Sequence, residues 1–575
     1  MSKMSTKDRN NDSLNGGTNN NARQKSNNKR RGSKNPNRPS TRNHVGEDQH
    51  YTLANAPDAG NSIDWYNKSP VLLKDAANIT MAHPVGLGMS LVMPQGTSGK
   101  VGTYSDPGIM ALNFIPTIAS GSSGTHASDI NSATNIAARN IYSFVRHTNS
   151  GHANYDAPDL MKYLIAMDSI YMVYAHCARI YGVLRLYDGR NRYYPDQILR
   201  ALGVANVTPQ MGINEFRSAL NRIAYKIGVM NVPNNLSYMQ RHMWLCSNLY
   251  ADEPGNTFQT YCFRPGGAYR YRFSTPKDPT GSLEMKVLPT MSLQSWLNTL
   301  EELMAPVLSS EDMAIMSGDL LKAYGESSMF KLTTVPEDYQ VLPTYNEEVL
   351  SQIENATIWY GIDNSVESAD KDHHKWDIRE NTTQDDANLG ALYQNPTLLS
   401  PYGCQFDSVI NLHTEEVNPE NVMIATRLMT TAVSAKWMKT KEKLYTMTAM
   451  DYGSEIIVAA FMYTGLGSAN IDDLNCYVDI FSDTTPAQAV SETAVSMIAA
   501  GYLQTFNRHP LVFVGTRTFK DPASTTTPSE PTIYTPAFML GVSNMSTVDH
   551  RTLESMHNVA MLSMFDVSSN NLNRG

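Results

Sequence analysis

The stretch from Asp156 to Gly189 constrains the fold of this chain more than any other. Asp156 suits an N-cap, and Pro158 sits early, where a missing N–H costs little. Leu160, Leu164, Met167, Tyr171, Tyr174 and Ala178 recur at spacings of three and four. Met161, Ile165, Ile170, Val173, Cys177, Ile180, Tyr181 and Leu184 widen that stripe. A helix apolar around so much of its circumference packs on several neighbours at once. Asp188-Gly189 is its stop signal.

Further helices are expected from Ser132 to His147, and from Asn214 onward with Phe216, Leu220, Ile223 and Ile227 on one face. Ser292 can cap a helix from Leu293 to Met304 that Pro306 stops, and Ser310 one from Met313 to Tyr324 that Gly325 stops. Asn418-Pro419-Glu420 is a helix start. An Ala-rich helix is expected from Pro486 to Phe506, and a closing one from Leu553 to Phe565. Strand-like pieces run from Thr257 to Phe263, Tyr269 to Phe273, Leu332 to Val335, Ile456 to Tyr463, Cys476 to Phe481 and Leu511 to Val514. The Gly/Pro/Ser-rich stretch from Pro84 to Gly124 reads as ordered loop and short strand, and the charged stretch from Val366 to Asn388 as an exposed loop. No internal repeat of 20–50 residues is present. The sum is a mostly α-helical α+β chain.

Charge divides the chain in two. The 575 residues carry 46 Lys+Arg against 55 Asp+Glu, a net charge of −9. Residues 1–44 hold 11 of the bases (Lys3, Lys7, Arg9, Arg23, Lys25, Lys29, Arg30, Arg31, Lys34, Arg38 and Arg42) and only two acids, Asp8 and Asp12, a net +9. The remainder has 35 bases and 53 acids, a net −18. Residues 1–50 contain no Phe or Trp and are rich in Asn, Ser and Gly, so they are expected to be a disordered arm. The 11 basic residues are the candidate nucleic-acid contacts, neutralising phosphates without reading sequence. The other reading of the arm is a solubilising or targeting tail.

Catalytic signals are weak. Gly96-Thr97-Ser98-Gly99-Lys100 resembles a phosphate loop, but Pro94 stands where its first glycine belongs. Gly86-Leu87-Gly88 and Gly465-Leu466-Gly467 lack the third glycine of a dinucleotide loop, and neither a G-x-S-x-G elbow nor a Gly-Asp-Asp triplet occurs. His373-His374 beside Asp372 and Asp377 reads as a charged loop before a metal set, since adjacent histidines point apart. Cys177 beside His176 reads as a packing cysteine, because neighbours on a helix diverge by about 100°. The run from Phe263 to Phe273 interleaves arginines with aromatics, as base-stacking surfaces do, yet it fits an ordinary strand. Arg185, Arg190, Arg192 and Arg200 can face phosphates or pair with acids at a subunit contact. No cofactor or metal is expected. Five scattered cysteines suit a reducing compartment, and neither a secretory signal nor a spanning segment is seen.

Two segments carry a resemblance. They are Asp64-Trp65-Tyr66-Asn67-Lys68-Ser69-Pro70-Val71-Leu72-Leu73-Lys74-Asp75-Ala76-Ala77, and Met167-Asp168-Ser169-Ile170-Tyr171 running on to Ile180-Tyr181-Gly182-Val183-Leu184. With the basic Asn-rich arm they resemble picobirnavirus capsid proteins, most densely over residues 60–230. The resemblance implies a viral capsid shell domain with a smaller protruding domain containing short strands. On that reading residues 1–50 are the RNA-facing arm, 51–254 and 456–575 the two parts of the shell domain, and 255–455 the protruding domain. It further implies homodimers that assemble into a small icosahedral shell around a double-stranded RNA genome. The protein would be found in the virion and assembled in the host cytoplasm, with a packaged viral polymerase as a further partner and no membrane anchor. It would not be an enzyme, autoproteolytic removal of the arm being the one compatible chemistry. The competing reading is a non-structural RNA-binding protein or nucleoprotein, which the acidic body disfavours.

Overall fold

The computed structural model describes residues 68–78, 89–91, 102–104, 108–119, 129–151, 154–186, 193–205, 211–254, 256–276, 278–367, 372–384, 386–400, 408–414, 417–438, 444–463, 477–482, 503, 505–510, 513–518, 532–538 and 543–567. Two compact units are distinguished, Met1–His83 and Pro84–Gly575. In the first, helix α1 (Pro70–Ala77) opens on a Ser69 cap with Pro70 at its start, and Val71, Leu72 and Leu73 are exposed. Trp65 and Tyr66, which precede it in the Asp64–Ala77 segment, lie outside the described residues.

The second unit is built around one helix. After α2 (Ala133–Thr148), α3 runs from Ala157 to Leu184 and is buried on every side for nearly its whole length. Asp156 caps it: its carboxylate accepts the Asp159 N–H at 3.2 Å, and the Asp159 carboxylate accepts the Asp156 N–H in return. It ends at Arg185, before the Asp188-Gly189 stop. Around it pack α4 (Tyr193–Ala201), α5 (Ile213–Ile227), α6 (Ser237–Ser247), α7 (Leu293–Ser309) and α8 (Glu311–Tyr324). Tyrosines give α3 polar reach from an apolar surface: the Tyr163 and Tyr181 hydroxyls donate to the Asn231 and Glu337 carbonyls, each at 2.8 Å.

Beside the helices lies a five-stranded sheet. Its order is Glu455–Tyr463, Ile109–Pro116, Asn256–Pro265, Leu249–Glu253 and Pro343–Tyr345. Ile109–Pro116 pairs antiparallel with Glu455–Tyr463 and parallel with Asn256–Pro265. Seven of its eight residues are buried, as a strand covered on both faces should be. A hairpin of Gly267–Arg272 and Ser282–Val287 packs on α3 and α7. Helices α9 (Glu347–Glu354), α10 (Pro419–Ala425) and α11 (His550–Met564) complete the α-helices among the described residues. The architecture is mixed α+β.

Several expectations need correction. Pro306 does not stop α7, which runs on to Ser309. Pro306 is buried, and the Ser309 hydroxyl donates to the Ala305 carbonyl at 2.8 Å, so side-chain bonding helps close the final turn. Residues 332–335 form no strand. The Asn221 side chain accepts the Val335 N–H at 2.7 Å and donates to its carbonyl at 3.2 Å, replacing ladder bonds. Helix α5 starts at Ile213, with Gly212 in the cap position expected of Asn214. The stretch from Val366 to Asn388 is not simply an exposed loop: Trp376 and Ile378 are fully buried, and the Trp376 indole N–H donates to the Thr397 carbonyl at 3.0 Å. Among its described charges Arg379 pairs with Glu367 at 2.6 Å and Lys375 with Asp363 at 2.7 Å, which offsets the cost of drawing them inward. Most of the helix expected from Pro486 to Phe506 lies outside the described residues.

Candidate functional site

The eleven basic arm residues, Lys3 to Arg42, lie outside the described residues, as do Arg190 and Arg192. Other candidates resolve into structural roles. Cys177 is fully buried, and burial pushes its thiol up. The neighbouring His176 turns elsewhere, with its Nε2 3.0 Å from the Leu202 carbonyl and its Nδ1 2.8 Å from Arg179. His373 meets Asp278 at 3.1 Å, while Asp377 accepts the N–H groups of His374 and Met285. These contacts tie residues 373–377 to the 267–287 hairpin. The run from Phe263 to Phe273 spans two strands: Arg264 is buried, Tyr269 donates to the Pro116 carbonyl at 3.0 Å, and Arg270 and Arg272 are partly exposed.

Sequence reasoning missed a buried charged junction where distant segments converge. Asp168 of α3 faces His242 of α6, with Nδ1 2.8 and 2.9 Å from the two carboxylate oxygens. The other ring nitrogen of His242 lies 3.7 Å from Glu455, at the start of the sheet's edge strand. Glu455 also takes the Arg241 guanidinium at 2.6 Å and the Ser454 hydroxyl. Arg241 reaches on to Gln352 of α9 at 3.0 Å, and Arg427 joins through Ser454 at 3.0 Å. Burial alone would pull His242 down, but Asp168 and then Glu455 lift it to about 9, so it is cationic at neutral pH. Burial would raise Glu455, yet Arg241 and its other cationic neighbours hold it well below the usual carboxylate range. Burial pushes Asp168 up against the pull of His242.

A second buried charge lies at the start of α3. Lys162 Nζ sits 2.9 Å from Asp159, 3.2 Å from Glu380 and 2.7 Å from the Thr280 carbonyl, with its side chain fully buried. Asp156, Asp159 and Glu380 form a carboxylate group, and Lys162 is the cation that already pairs with two of them. The signal for both clusters is visible in the chain: Lys162, Asp168, His176 and Arg179 interrupt a helix that has no polar face. Charges placed there must be paired, but their partners lie up to several hundred residues away.

These clusters join elements from residue 156 to residue 455 inside one packed body and brace it. A family model described as picobirnavirus capsid protein matches residues 65–500. The chain belongs to the picobirnavirus capsid protein family. The capsid protein precursor of Human picobirnavirus (strain Human/Thailand/Hy005102/-) is 32% identical over 393 residues, which cover 64% of this chain and 68% of that one. The fold resembles the X-ray crystallographic structure of the picobirnavirus capsid with a TM-score of 0.69 at 20% identity, over 89% of this chain and 99% of that one. This capsid protein's role is therefore structural, as a component of the virion. No helix among its described residues is long and apolar enough to cross a membrane.

Proposed function

We propose that copies of this capsid protein pair as homodimers and that the dimers close into a small icosahedral shell around double-stranded RNA. The basic arm faces inward, with Lys3, Lys7, Arg9, Arg23, Lys25, Lys29, Arg30, Arg31, Lys34, Arg38 and Arg42 neutralising RNA phosphates. The charge division carries this reading: +9 in residues 1–44 against −18 in the rest. Double-stranded RNA hides its base edges in a deep, narrow groove, so a container gains most from sequence-independent phosphate contacts. An acidic wall limits adhesion to RNA outside. Closed point symmetry uses one interface many times, so modest contacts suffice.

The shell is proposed to draw on residues 51–254 and 456–575, with a protruding part from within 255–455. The strand Asn256–Pro265 belongs with the shell on this reading, because it is hydrogen-bonded between Ile109–Pro116 and Leu249–Glu253. Assembly in the host cytoplasm, a packaged polymerase and autoproteolytic trimming of the arm complete the proposal.

Deleting residues 1–44 tests the arm. Truncated protein should still form closed particles in negative stain, and these should lack the nucleic-acid absorbance of full-length particles. Equal packaging by both forms would overturn the arm's role. Filaments or soluble dimers in place of shells would overturn the assembly.

A further inference from the structure

Helix α11 closes the described chain and lies across α2, α6 and the turn at Thr426–Leu428. Its buried face is Leu553, His557 and Met561, and Phe565 just beyond stacks on Tyr238 at 4.9 Å. A histidine in the middle of this apolar seam is unexpected. Its Nε2 lies 3.0 Å from the Met429 carbonyl, which fixes that nitrogen as the donor, and its Nδ1 has no hydrogen-bond partner. Gly453 presses against the same edge: a Cβ there would sit 2.7 Å from Nδ1 and 3.3 Å from Arg427. Arg427 is buried beside it, donating to Ser454 and touching the sulfur of Met564 at the end of α11.

We propose that α11 is an acid-released clasp, held shut by a neutral His557 wedged between the Met429 carbonyl and the Arg427 guanidinium. A proton on His557 would enter a buried seam facing a cation. The neighbouring acid, Glu455, is already engaged by Arg241 and by the Ser454 hydroxyl. Undocked, the imidazole protonates freely. Burial, then Arg427, pull the docked ring down to about 3 from the ordinary 6.5, against the Met429 contact and Glu455. A lowered histidine gives stability that is full above pH 6.5 and is lost as pH falls below it. Each unit below 6.5 shifts docking about tenfold toward release, or about thirtyfold at pH 5.

Other groups on the helix act differently. His550 meets Asp451, which also takes the Thr431 hydroxyl, and burial raises Asp451. Glu554 is raised by burial, then by Asp451 and Asp129. A raised carboxyl takes up protons in the docked state, so these two oppose release, and they do so nearer their own carboxylate range. The window from about pH 6.5 down to 5 belongs to His557. This inference stands apart from shell assembly, since it concerns docking within one chain.

Hydrogen exchange of the purified full-length chain tests it, read as protection factors over residues 550–565 from pH 7.5 to 5.0. Protection should fall about thirtyfold between pH 6.5 and 5.0. His557→Gln keeps a donor for the Met429 carbonyl and cannot ionise, so its protection should stay flat. Unchanged wild-type protection down to pH 5, or the same loss in the variant, overturns the clasp. If His557→Gln does not fold, the wild-type profile decides: loss beginning below pH 6.5 supports it, and protection unchanged down to pH 5.0 overturns it.

Discussion

The Asp168 carboxylate and the His242 ring meet at 2.8 Å with neither side chain exposed to solvent. The contact joins the central helix to α6, and Glu455 links both to the sheet. Removing one partner of a buried ion pair strands the other, at a cost of about 3–5 kcal/mol. Asp168→Asn should therefore lower stability by about that amount in urea unfolding followed by tryptophan fluorescence. The pair also sets a pH dependence. His242 is raised to about 9 in the folded chain, so its contribution is complete below pH 6.5 and fades as pH climbs toward 9. Stability should decline across that window in the wild type and be flatter in Asp168→Asn.

Lys162 calls for a double substitution. Its ammonium is shared by Asp159, Glu380 and the Thr280 carbonyl, so Lys162→Met leaves the half-buried Glu380 carboxylate without its cation. Burial already raises Glu380, and Lys162 draws it back. The single variant should lose about 3–5 kcal/mol. Adding Glu380→Gln should recover part of that loss, because a neutral amide does not need the ammonium. A thermal-unfolding cycle of the four proteins checks this, with a favourable coupling of at least about 1 kcal/mol expected.

Two glycines should respond in opposite directions. Gly203 has φ of +82°, and a Cβ there would lie 2.5 Å from the Arg264 guanidinium. Its carbonyl also accepts the Met291 N–H and the Trp296 indole N–H. Gly203→Ala should cost about 2–4 kcal/mol through backbone strain and displacement of a buried arginine. Gly318 lies on the exposed side of α8 with nothing near its missing Cβ. Gly318→Ala should raise stability by up to about 1 kcal/mol. Apparent melting temperatures of both variants decide the pair.

The central helix was legible because its signals are local: a capping aspartate, an early proline and an apolar spacing sustained over seven turns. The start at Asn418 and the stop at Gly325 were legible for the same reason, with Asn418 accepting the Asn421 N–H at 2.8 Å and Gly325 at a φ of +83°. What escaped is non-local. No spacing rule says that Ile109 will pair with Thr260 in parallel while Tyr463 pairs with Ile109 from the other side. Residues 332–335 have strand composition but are held by Asn221, a partner more than a hundred positions earlier. The polar residues of the central helix were visible, and their obligation to be paired follows from burial. The identity of each partner comes only from the folded chain.

Trp376 separates the compositional reading of residues 366–388 from the packed one. An exposed charged loop would tolerate Trp376→Ala with a change within about 0.5 kcal/mol. In the folded chain the indole is fully buried, donates to the Thr397 carbonyl, and sits where Arg379, Lys375 and His373 each hold an acid. Truncation there removes a large apolar side chain and orphans a carbonyl, so the cost should be about 3–5 kcal/mol. Proteolysis of the native protein gives a second readout. If Trp376 anchors the segment, the variant should be cut within 366–388 at protease concentrations that leave the wild type intact. Trp376→Phe, which keeps most of the buried area and loses only the hydrogen bond, should fall between the two.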